Sequence, residues 1–185
     1  MKIAQALAVS LLTLTPAFAQ DAGTVAKTEI DPEAYVGTWY EIARTPAKFQ
    51  EMCSGGVTAT YALAGEKVTV TNRCDGPGGA VATIEGTATV VGGNFNTLDV
   101  QFPVGDTSQG VNYTVAAASD VVDGKYQWAA VRSPEENIGW ILSRTPELDA
   151  ATRAEAVKAL ETAGVDVSQL KDTAQPPPES YKVGE

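Results

Sequence analysis

Residues 57–74 read VTATYALAGEKVTVTNRC, and this stretch predicts a β-hairpin. Apolar and polar residues alternate on both sides of Gly65-Glu66, and a period of two indicates strands whose two faces differ. Pairing the two runs across this turn places Tyr61 beside Val70, so the apolar residues of both strands share one face. The sequence therefore predicts two antiparallel strands that turn one common face toward a core.

Further runs along the chain show the same short strand pattern and are separated by breaks rich in glycine and proline. Together with the hairpin they predict eight strands, at 37–44, 56–63, 67–73, 81–90, 96–102, 111–118, 125–132 and 138–144. Short, evenly spaced antiparallel strands are typical of a closed barrel or of a sandwich, and the pattern alone leaves both open.

One helix follows the last predicted strand. Asp149 suits the N-cap, residues 150–163 are mostly strong helix formers, and Gly164 suits the C-terminal end. The narrow apolar face of this helix consists of Ala154, Val157 and Leu160. We expect this face to pack on the outside of the sheet against Tyr40 and Ile42, because a lone helix must bury its apolar side.

The composition limits the chemistry. A chain of 185 residues is one ordinary domain, and a hydrophobic share of 44% is enough to build a core. A formal net charge of −10 argues against a nucleic-acid partner. With no histidine and two cysteines, the chain lacks the residues for Ser-His-Asp or Cys-His catalysis and for common zinc sites. We expect no metal and no cofactor.

The N-terminus has the three parts of a secretory signal peptide. Residues 1–19 contain Lys2, an apolar run and the small-x-small pattern Ala17-Phe18-Ala19. A buried N-terminal helix is the alternative. No cysteine precedes Cys53, so we expect an exported protein without a lipid anchor.

The polar, aperiodic stretch at 20–30 predicts a flexible leader. Residues 173–185 contain three consecutive prolines and predict a disordered tail. The folded domain is therefore expected over 31–172.

Cys53 and Cys74 are expected to form a disulfide, because paired cysteines in an exported chain are usually oxidised. The hairpin register brings Cys74 close to Cys53, and closing this loop would contribute about 3 kcal/mol. Their spacing excludes a CxxC redox motif, and a free reactive thiol is the alternative.

Two longer motifs resemble those of the lipocalin family. YVGTWYEIAR at residues 35–44 is similar to the Gly-x-Trp strand of the bacterial lipocalin and apolipoprotein D branch, and WILSRTP at 140–146 is similar to that branch's last strand. DGKY at 123–126 resembles the middle motif in a looser form. The resemblance covers residues 31–172. It implies an all-β fold, an eight-stranded antiparallel up-and-down β-barrel with one C-terminal α-helix packed on the outside.

The resemblance also implies a function. It suggests non-catalytic binding of a small hydrophobic ligand, such as a fatty acid or lysophospholipid, in a cavity for envelope lipid storage or maintenance. The expected location is the periplasm, with transient contact with membrane lipids, as a monomer or a weak homodimer. Many members of the branch carry a lipid-accepting cysteine, which this chain lacks, so association with the outer membrane is left open.

Alternation indicates which side chains would line such a barrel. Tyr61, Asn72 and Tyr113 are candidates to hydrogen-bond a ligand head group. The alternative is that side chains fill the barrel completely. The full set of expected ligand-binding residues is Ala59, Tyr61, Val70, Asn72, Ile84, Leu98, Val100, Phe102, Tyr113, Trp140 and Leu142.

Trp39 and Arg144 are expected to have a structural role. The resemblance implies that the guanidinium stacks over the indole at the closed end of the barrel, and such contacts contribute about 1–2 kcal/mol. Alternation places Glu41 on the inner face with Trp39 and Ala43, where a buried carboxylate needs a partner. Arg144 is the candidate partner.

Two other functions stay open at this point. An enzyme built on the same scaffold would need a polar catalytic cluster inside the barrel, with Glu41 or Tyr61 as its first candidates. A protein-binding module would act through the loops at 46–55 or 103–109.

Overall fold

The computed structural model of this chain describes residues 29–104, 110–134 and 137–176. The predicted signal peptide and most of the leader lie outside the described residues, as does the predicted tail from residue 177 on. Ile30, which the sequence analysis assigned to the leader, is fully buried, and its amide donates to Asn96 Oδ1 at 2.7 Å. Within these described ranges, no helix is long and apolar enough to cross a membrane.

Strands dominate the described part of the chain. They are β1 (Gly37–Arg44), β2 (Gly55–Ala64), β3 (Lys67–Asp75), β4 (Val81–Val90), β5 (Thr97–Gln101), β6 (Tyr113–Ala118), β7 (Val121–Val122), β8 (Lys125–Tyr126), β9 (Trp128–Ser133), β10 (Ile138–Ser143) and β11 (Lys171–Asp172). The α-helices are α1 (Pro32–Tyr35) and α2 (Ala150–Thr162). Short 3-10 helices cover Lys48–Gln50, Pro77–Gly79 and Val167–Gln169.

Eight of these strands form a closed antiparallel barrel. β1 to β6, β9 and β10 pair with their neighbours in this order, and β10 pairs back onto β1. The predicted barrel is confirmed and the sandwich is excluded. The predicted hairpin register is also confirmed, because Tyr61 pairs with Val70 and Leu63 with Val68.

The strand predicted over 125–132 is wrong in its first part. Lys125–Tyr126 instead pairs with Val121–Val122 in a separate two-stranded ribbon, and the barrel strand β9 begins at Trp128. Gln127 separates the two elements because its amide donates to Ser119 Oγ at 2.7 Å instead of to a strand.

The strand predicted from residue 111 begins at Tyr113. The side chain of Asn112 replaces a backbone pairing just before it. Its Nδ2 donates to the Val100 carbonyl at 2.8 Å, and its Oδ1 accepts from the Val100 amide at 2.9 Å.

Helix α2 packs on the outer face of the barrel, as predicted. Asp149 accepts hydrogen bonds from two amides of the first turn, both at 3.0 Å, and Gly164 ends the helix with a φ of +87°. The buried face contains Ala156 and Leu160, whereas Ala154 is exposed, contrary to the prediction. Residues 154 and 156 lie about 200° apart around a helix, so they cannot share one face.

A second apolar cluster, here called the outer cluster, joins α2 to the barrel wall. It includes Trp128, so this ring faces the helix and not the barrel interior. Ile42 is a member of the cluster, and Tyr40 and Val157 pack against it, so Tyr40 and Ile42 lie on the outer face, as expected. The members of the outer cluster are Ile42, Ala43, Ala117, Trp128, Ala130, Ile141, Ala156, Leu160 and Val165.

A bulge in β1 reverses the expected direction of Ala43. The register with β10 shifts after Glu41, so Glu41 pairs with Leu142 and Ala43 pairs with Ile141. Because Ile141 belongs to the outer cluster, Ala43 faces α2, and only Glu41 remains on the inner face with Trp39. One extra residue in one strand inverts the alternation beyond it.

Residues 30–36 cross one end of the barrel, which we call the closed end. The Cζ atom of Arg144 lies 3.6 Å from the centroid of the Trp39 ring, in the stacked arrangement that the resemblance implies. The guanidinium also donates to five backbone carbonyls, those of Ala34, Tyr35, Val36, Thr38 and Tyr126. Arg144 therefore ties α1 to β1 and to the end of β8.

The segment 171–175 fills a gap in the barrel wall between β1 and β2. β11 pairs with the end of β1, and the Thr173 amide donates to the Ile42 carbonyl at 2.9 Å. On the other side, the Gly56 amide of β2 donates to the Ala174 carbonyl at 2.8 Å. Hydrogen bonding to the barrel thus extends to Thr173 and Ala174, which lie in the segment predicted to be a disordered tail.

Candidate functional site

The barrel encloses one buried apolar cluster, here called the inner cluster. Nine of the expected ligand-binding residues belong to it or pack against it: Ala59, Tyr61, Val70, Leu98, Val100, Phe102, Tyr113, Trp140 and Leu142. The remaining two, Asn72 and Ile84, are half-buried and pair with each other across β3 and β4. Asn72 also pairs with Ala59. The strand alternation therefore brings all eleven expected positions to the same side of the sheet.

A layer of aromatic rings covers the closed end from within. Tyr35 stands at its centre, with ring centroids at 5.1 Å from Trp39, 5.7 Å from Phe95 and 6.4 Å from Tyr126. The indole nitrogen of Trp39 donates to the Tyr35 carbonyl at 2.9 Å. Offset and edge-to-face rings at these separations attract each other beyond the area that they bury. The layer forms the floor of the barrel interior.

Three tyrosine hydroxyls meet inside the barrel. The hydroxyl oxygens of Tyr35 and Tyr113 lie 2.6 Å apart, and the Tyr61 hydroxyl donates to that of Tyr113 at 3.0 Å. Desolvation by burial raises the pKa of Tyr61 to about 12, although its hydrogen bond to Tyr113 lowers it. Burial also raises the pKa values of Tyr35 and Tyr113 well above the ordinary value for tyrosine. All three phenols are therefore neutral at physiological pH.

A buried carboxylate lies at the opposite end, which we call the mouth, where β1 ends and β2 begins. Glu41 is 2% exposed, and its Oε1 accepts from Arg44 Nη1 at 2.6 Å and from the Thr173 hydroxyl at 2.5 Å. The other oxygen, Oε2, accepts from Gln50 Nε2 at 2.8 Å. The prediction that Arg144 pairs with Glu41 is wrong, because Arg144 lies at the closed end. The partner is Arg44, which follows Glu41 by three residues across the bulge.

The loop between β1 and β2 is fixed over the mouth. Gln50 connects it to the barrel, because its Oε1 accepts from the indole nitrogen of Trp140 at 3.1 Å. Phe49 stacks near the same ring, with centroids 6.4 Å apart. The predicted disulfide between Cys53 and Cys74 is confirmed, with Cα atoms 5.6 Å apart, and it anchors the loop to the end of β3.

Sequence reasoning missed Tyr35, Arg44 and Gln50. Tyr35 lies in α1, outside the strand alternation. Its position two residues before Gly37 was a usable signal, because the segment that leads into β1 crosses the end of the barrel. Arg44 turns to Glu41 through a bulge, and Gln50 comes from a loop, so neither had a periodic signal. Among the described residues, no group of three or more cysteine and acidic side chains is placed to hold a metal ion.

The fold and this interior agree with the comparisons. A family model described as a lipocalin-like domain matches residues 30–175, so the chain belongs to the lipocalin family. It is 32% identical over 177 residues to the outer membrane lipoprotein Blc of Escherichia coli, which covers 94% of this chain and 96% of that protein. It is also 32% identical over 154 residues to a putative lipocalin of Acanthamoeba polyphaga mimivirus, covering 79% of this chain and 85% of that one.

Solved structures show the same fold at lower sequence identity. Lobster apocrustacyanin A1 superposes with a TM-score of 0.62 at 16% identity, over 81% of this chain and 83% of that chain. Insecticyanin from the tobacco hornworm Manduca sexta superposes with a TM-score of 0.61 at 22% identity, over 88% of both chains. Lipocalins are typically proteins that bind small hydrophobic molecules.

Proposed function

We propose that this protein binds a lipid with a long apolar chain, such as a fatty acid or a lysophospholipid, inside the barrel and carries or stores it without chemical change. The observation that carries the proposal is the closed barrel, whose interior is lined by an apolar cluster that includes Leu98 and Leu142. Inner-face residues with small side chains, Ala59, Ala82 and Ala88, reduce how completely side chains can fill the interior.

Burial of apolar area supplies the free energy for such binding. An acyl chain that removes about 300 Å² of apolar surface from water gains about 7 kcal/mol before entropic costs, which corresponds to micromolar affinity. This estimate makes tens of micromolar the concentration range in which binding must be detected.

The mouth carries exposed apolar side chains that suit contact with lipid. The four apolar side chains exposed by 57% to 68% on this end are Phe49, Met52, Val81 and Val104. Phe49 and Met52 lie in the connection that follows β1, Val104 follows β5, and Val81 is the first residue of β4. Transient contact of this rim with membrane lipids would let an acyl chain pass into the barrel without crossing water.

The site supports binding more than catalysis. The buried carboxylate of Glu41 accepts hydrogen bonds from Arg44, Gln50 and Thr173, so these partners occupy it and it is not placed to transfer a proton to a molecule in the interior.

The signal-like residues 1–19 support export, and we infer a soluble periplasmic protein. The eight barrel strands close on one another and leave no open edge among themselves, which supports a monomer or a weak homodimer.

Displacement of a fluorescent fatty acid, combined with native mass spectrometry, tests the proposal. The wild-type protein should bind the probe at micromolar concentration, and hexadecanoate should displace it. Ala59→Trp places a large ring on the inner face and should weaken probe binding at least about tenfold, the cost of overpacking or of excluding the chain.

Ala62→Trp is the matched control, because Ala62 lies on the same strand but is exposed. It should bind the probe like the wild type. No displacement from wild-type protein at tens of micromolar, or equal effects of the two substitutions, would contradict the proposed site. Circular dichroism and thermal melting establish that both variants are folded.

A further inference from the structure

The three phenols of Tyr35, Tyr61 and Tyr113 contain one more proton than their mutual hydrogen bonds use. Three neutral hydroxyls carry three protons, and two hydrogen bonds join them. Tyr61 donates to Tyr113, so one proton remains on Tyr113 or on Tyr35, depending on which of these two donates to the other. Within the described ranges, no further hydrogen bond of these hydroxyls is present.

An unused donor is costly in this position. Tyr35 is fully buried and Tyr61 nearly so, and the aromatic floor surrounds them. A buried hydroxyl proton without an acceptor loses the hydrogen bond that it makes in water. An acceptor brought in by a ligand would recover that loss, whereas a purely hydrocarbon ligand would not.

The charges around the interior decide which acceptor fits. Arg144 is engaged with five backbone carbonyls and the Trp39 ring, and Arg44 is paired with Glu41. In the part of the chain that the structure describes, neither guanidinium donates to the phenols, and other partners hold both of them at the two ends of the barrel, so neither is placed to pair directly with a carboxylate there. A buried anion without a cation is strongly disfavoured. A neutral oxygen has no such requirement.

We infer that the Tyr35, Tyr61 and Tyr113 hydroxyls form a hydrogen-bonding subsite for a neutral oxygen acceptor at the deep end of the ligand. The chemical class is an apolar chain with a hydroxyl, ketone or ester oxygen far from any charged head group, which stays at the mouth. This inference rests on the proposed function, because it assumes that a ligand enters the barrel.

A pair of matched fatty acids tests the subsite. Hexadecanoate and 16-hydroxyhexadecanoate share the carboxylate and the chain length, and they differ only in the terminal hydroxyl. Each is titrated against the fluorescent fatty acid, and the ratio of the two dissociation constants is compared between proteins. The triple variant Tyr35→Phe, Tyr61→Phe, Tyr113→Phe removes every donor at once and leaves no orphaned partner. Tyr40→Phe, on the outer face, is the control.

The ratio in the triple variant should shift against the hydroxy acid by about twofold to about twelvefold, the contribution of one neutral hydrogen bond. The ratio in Tyr40→Phe should equal that of the wild type. An unchanged ratio in a folded triple variant, while both acids still bind, overturns the subsite and leaves the proposed function intact. Failure of both acids to bind wild-type protein overturns both.

A second measurement does not need the triple variant to fold. Tyrosine absorbance near 280 nm is sensitive to hydrogen bonding of the phenol. Binding of 16-hydroxyhexadecanoate to the wild type should shift this band further than binding of hexadecanoate does. Identical spectra for the two saturated complexes overturn the subsite.

Discussion

Replacing Arg144 with alanine is expected to destabilise the protein by about 2.5–5 kcal/mol, because it removes a cation–π contact and charged hydrogen bonds to the backbone. The half-buried guanidinium stacks on Trp39 and donates to five carbonyls, which belong to α1, to Val36 between α1 and β1, to β1 and to β8. After the guanidinium is deleted, the Tyr35 carbonyl still accepts from the Trp39 indole and the Val36 carbonyl from Lys125, but no residue then links these carbonyls to those of Thr38 and Tyr126.

The magnitude follows from these contacts. The cation–π contact contributes about 1–2 kcal/mol. Hydrogen bonds to a charged group contribute about 1.5–3 kcal/mol each, but carbonyls at the rim of the closed end regain water after the substitution. Counting one such bond fully and the others as rehydrated gives about 2.5–5 kcal/mol in total.

Urea unfolding followed by tryptophan fluorescence measures this change. Arg144→Ala should lower the midpoint at an unchanged dependence on urea, and Arg144→Lys should recover only part of the loss, because an ammonium has three donors and no planar face. Arg153→Ala is the control: it removes an exposed ion pair with Asp172 and should cost less than about 1 kcal/mol. A loss below about 1 kcal/mol for Arg144→Ala would refute the structural role of the stacked pair.

Three further predictions concern other parts of the molecule. Replacing Cys53 and Cys74 with serine should reduce the free energy of unfolding by about 2–4 kcal/mol in urea melts, and an unchanged midpoint would contradict the anchoring of the mouth loop. Leu160→Ala should cost about 2–5 kcal/mol, whereas Ala154→Ser on the exposed side should be near neutral, and equal effects would disprove the observed helix face. Because burial raises the folded-state pKa of Tyr61 to about 12, its contribution to stability is complete below about pH 10 and is lost as the pH rises through 12. Absorbance titration at alkaline pH should therefore show that Tyr35, Tyr61 and Tyr113 ionise only together with unfolding, and ionisation of all six tyrosines of the chain near pH 10 in the folded state would argue against this burial.

Local rules predicted the parts of the fold that depend on neighbouring residues. The hairpin register followed from a two-residue turn between alternating runs, and the helix cap at Asp149 followed from the preference of aspartate for that place. The disulfide followed from that register together with export.

The errors arose where one residue interrupts a period. The bulge after Glu41 turned Ala43 outward, and Gln127 split one predicted strand into two elements. The bulge is a feature of the pairing with the distant strand β10, and the break at Gln127 depends on a hydrogen bond to the Ser119 side chain, so alternation alone could not reveal either of them. The same reason explains why Arg144 was assigned to Glu41 in place of Arg44.

The polar parts of the candidate site were the least accessible to sequence reasoning. Tyr35 reaches the interior from α1, and its partner Tyr113 follows 78 residues later. Gln50 joins Glu41 and Trp140 from a loop. Such side-chain networks depend on the tertiary structure, whereas the apolar lining depends on strand period, which the sequence displays directly.

Intermolecular nuclear Overhauser effects between ¹³C-labelled hexadecanoate and the protein's methyl groups test the central claim most directly. Ligand methylenes should contact the inward methyls of Leu98, Val70 and Leu142 and none of the outward methyls of Ile141 and Leu160. Contacts confined to the outer cluster, or no intermolecular contacts at saturating ligand, would contradict binding inside the barrel.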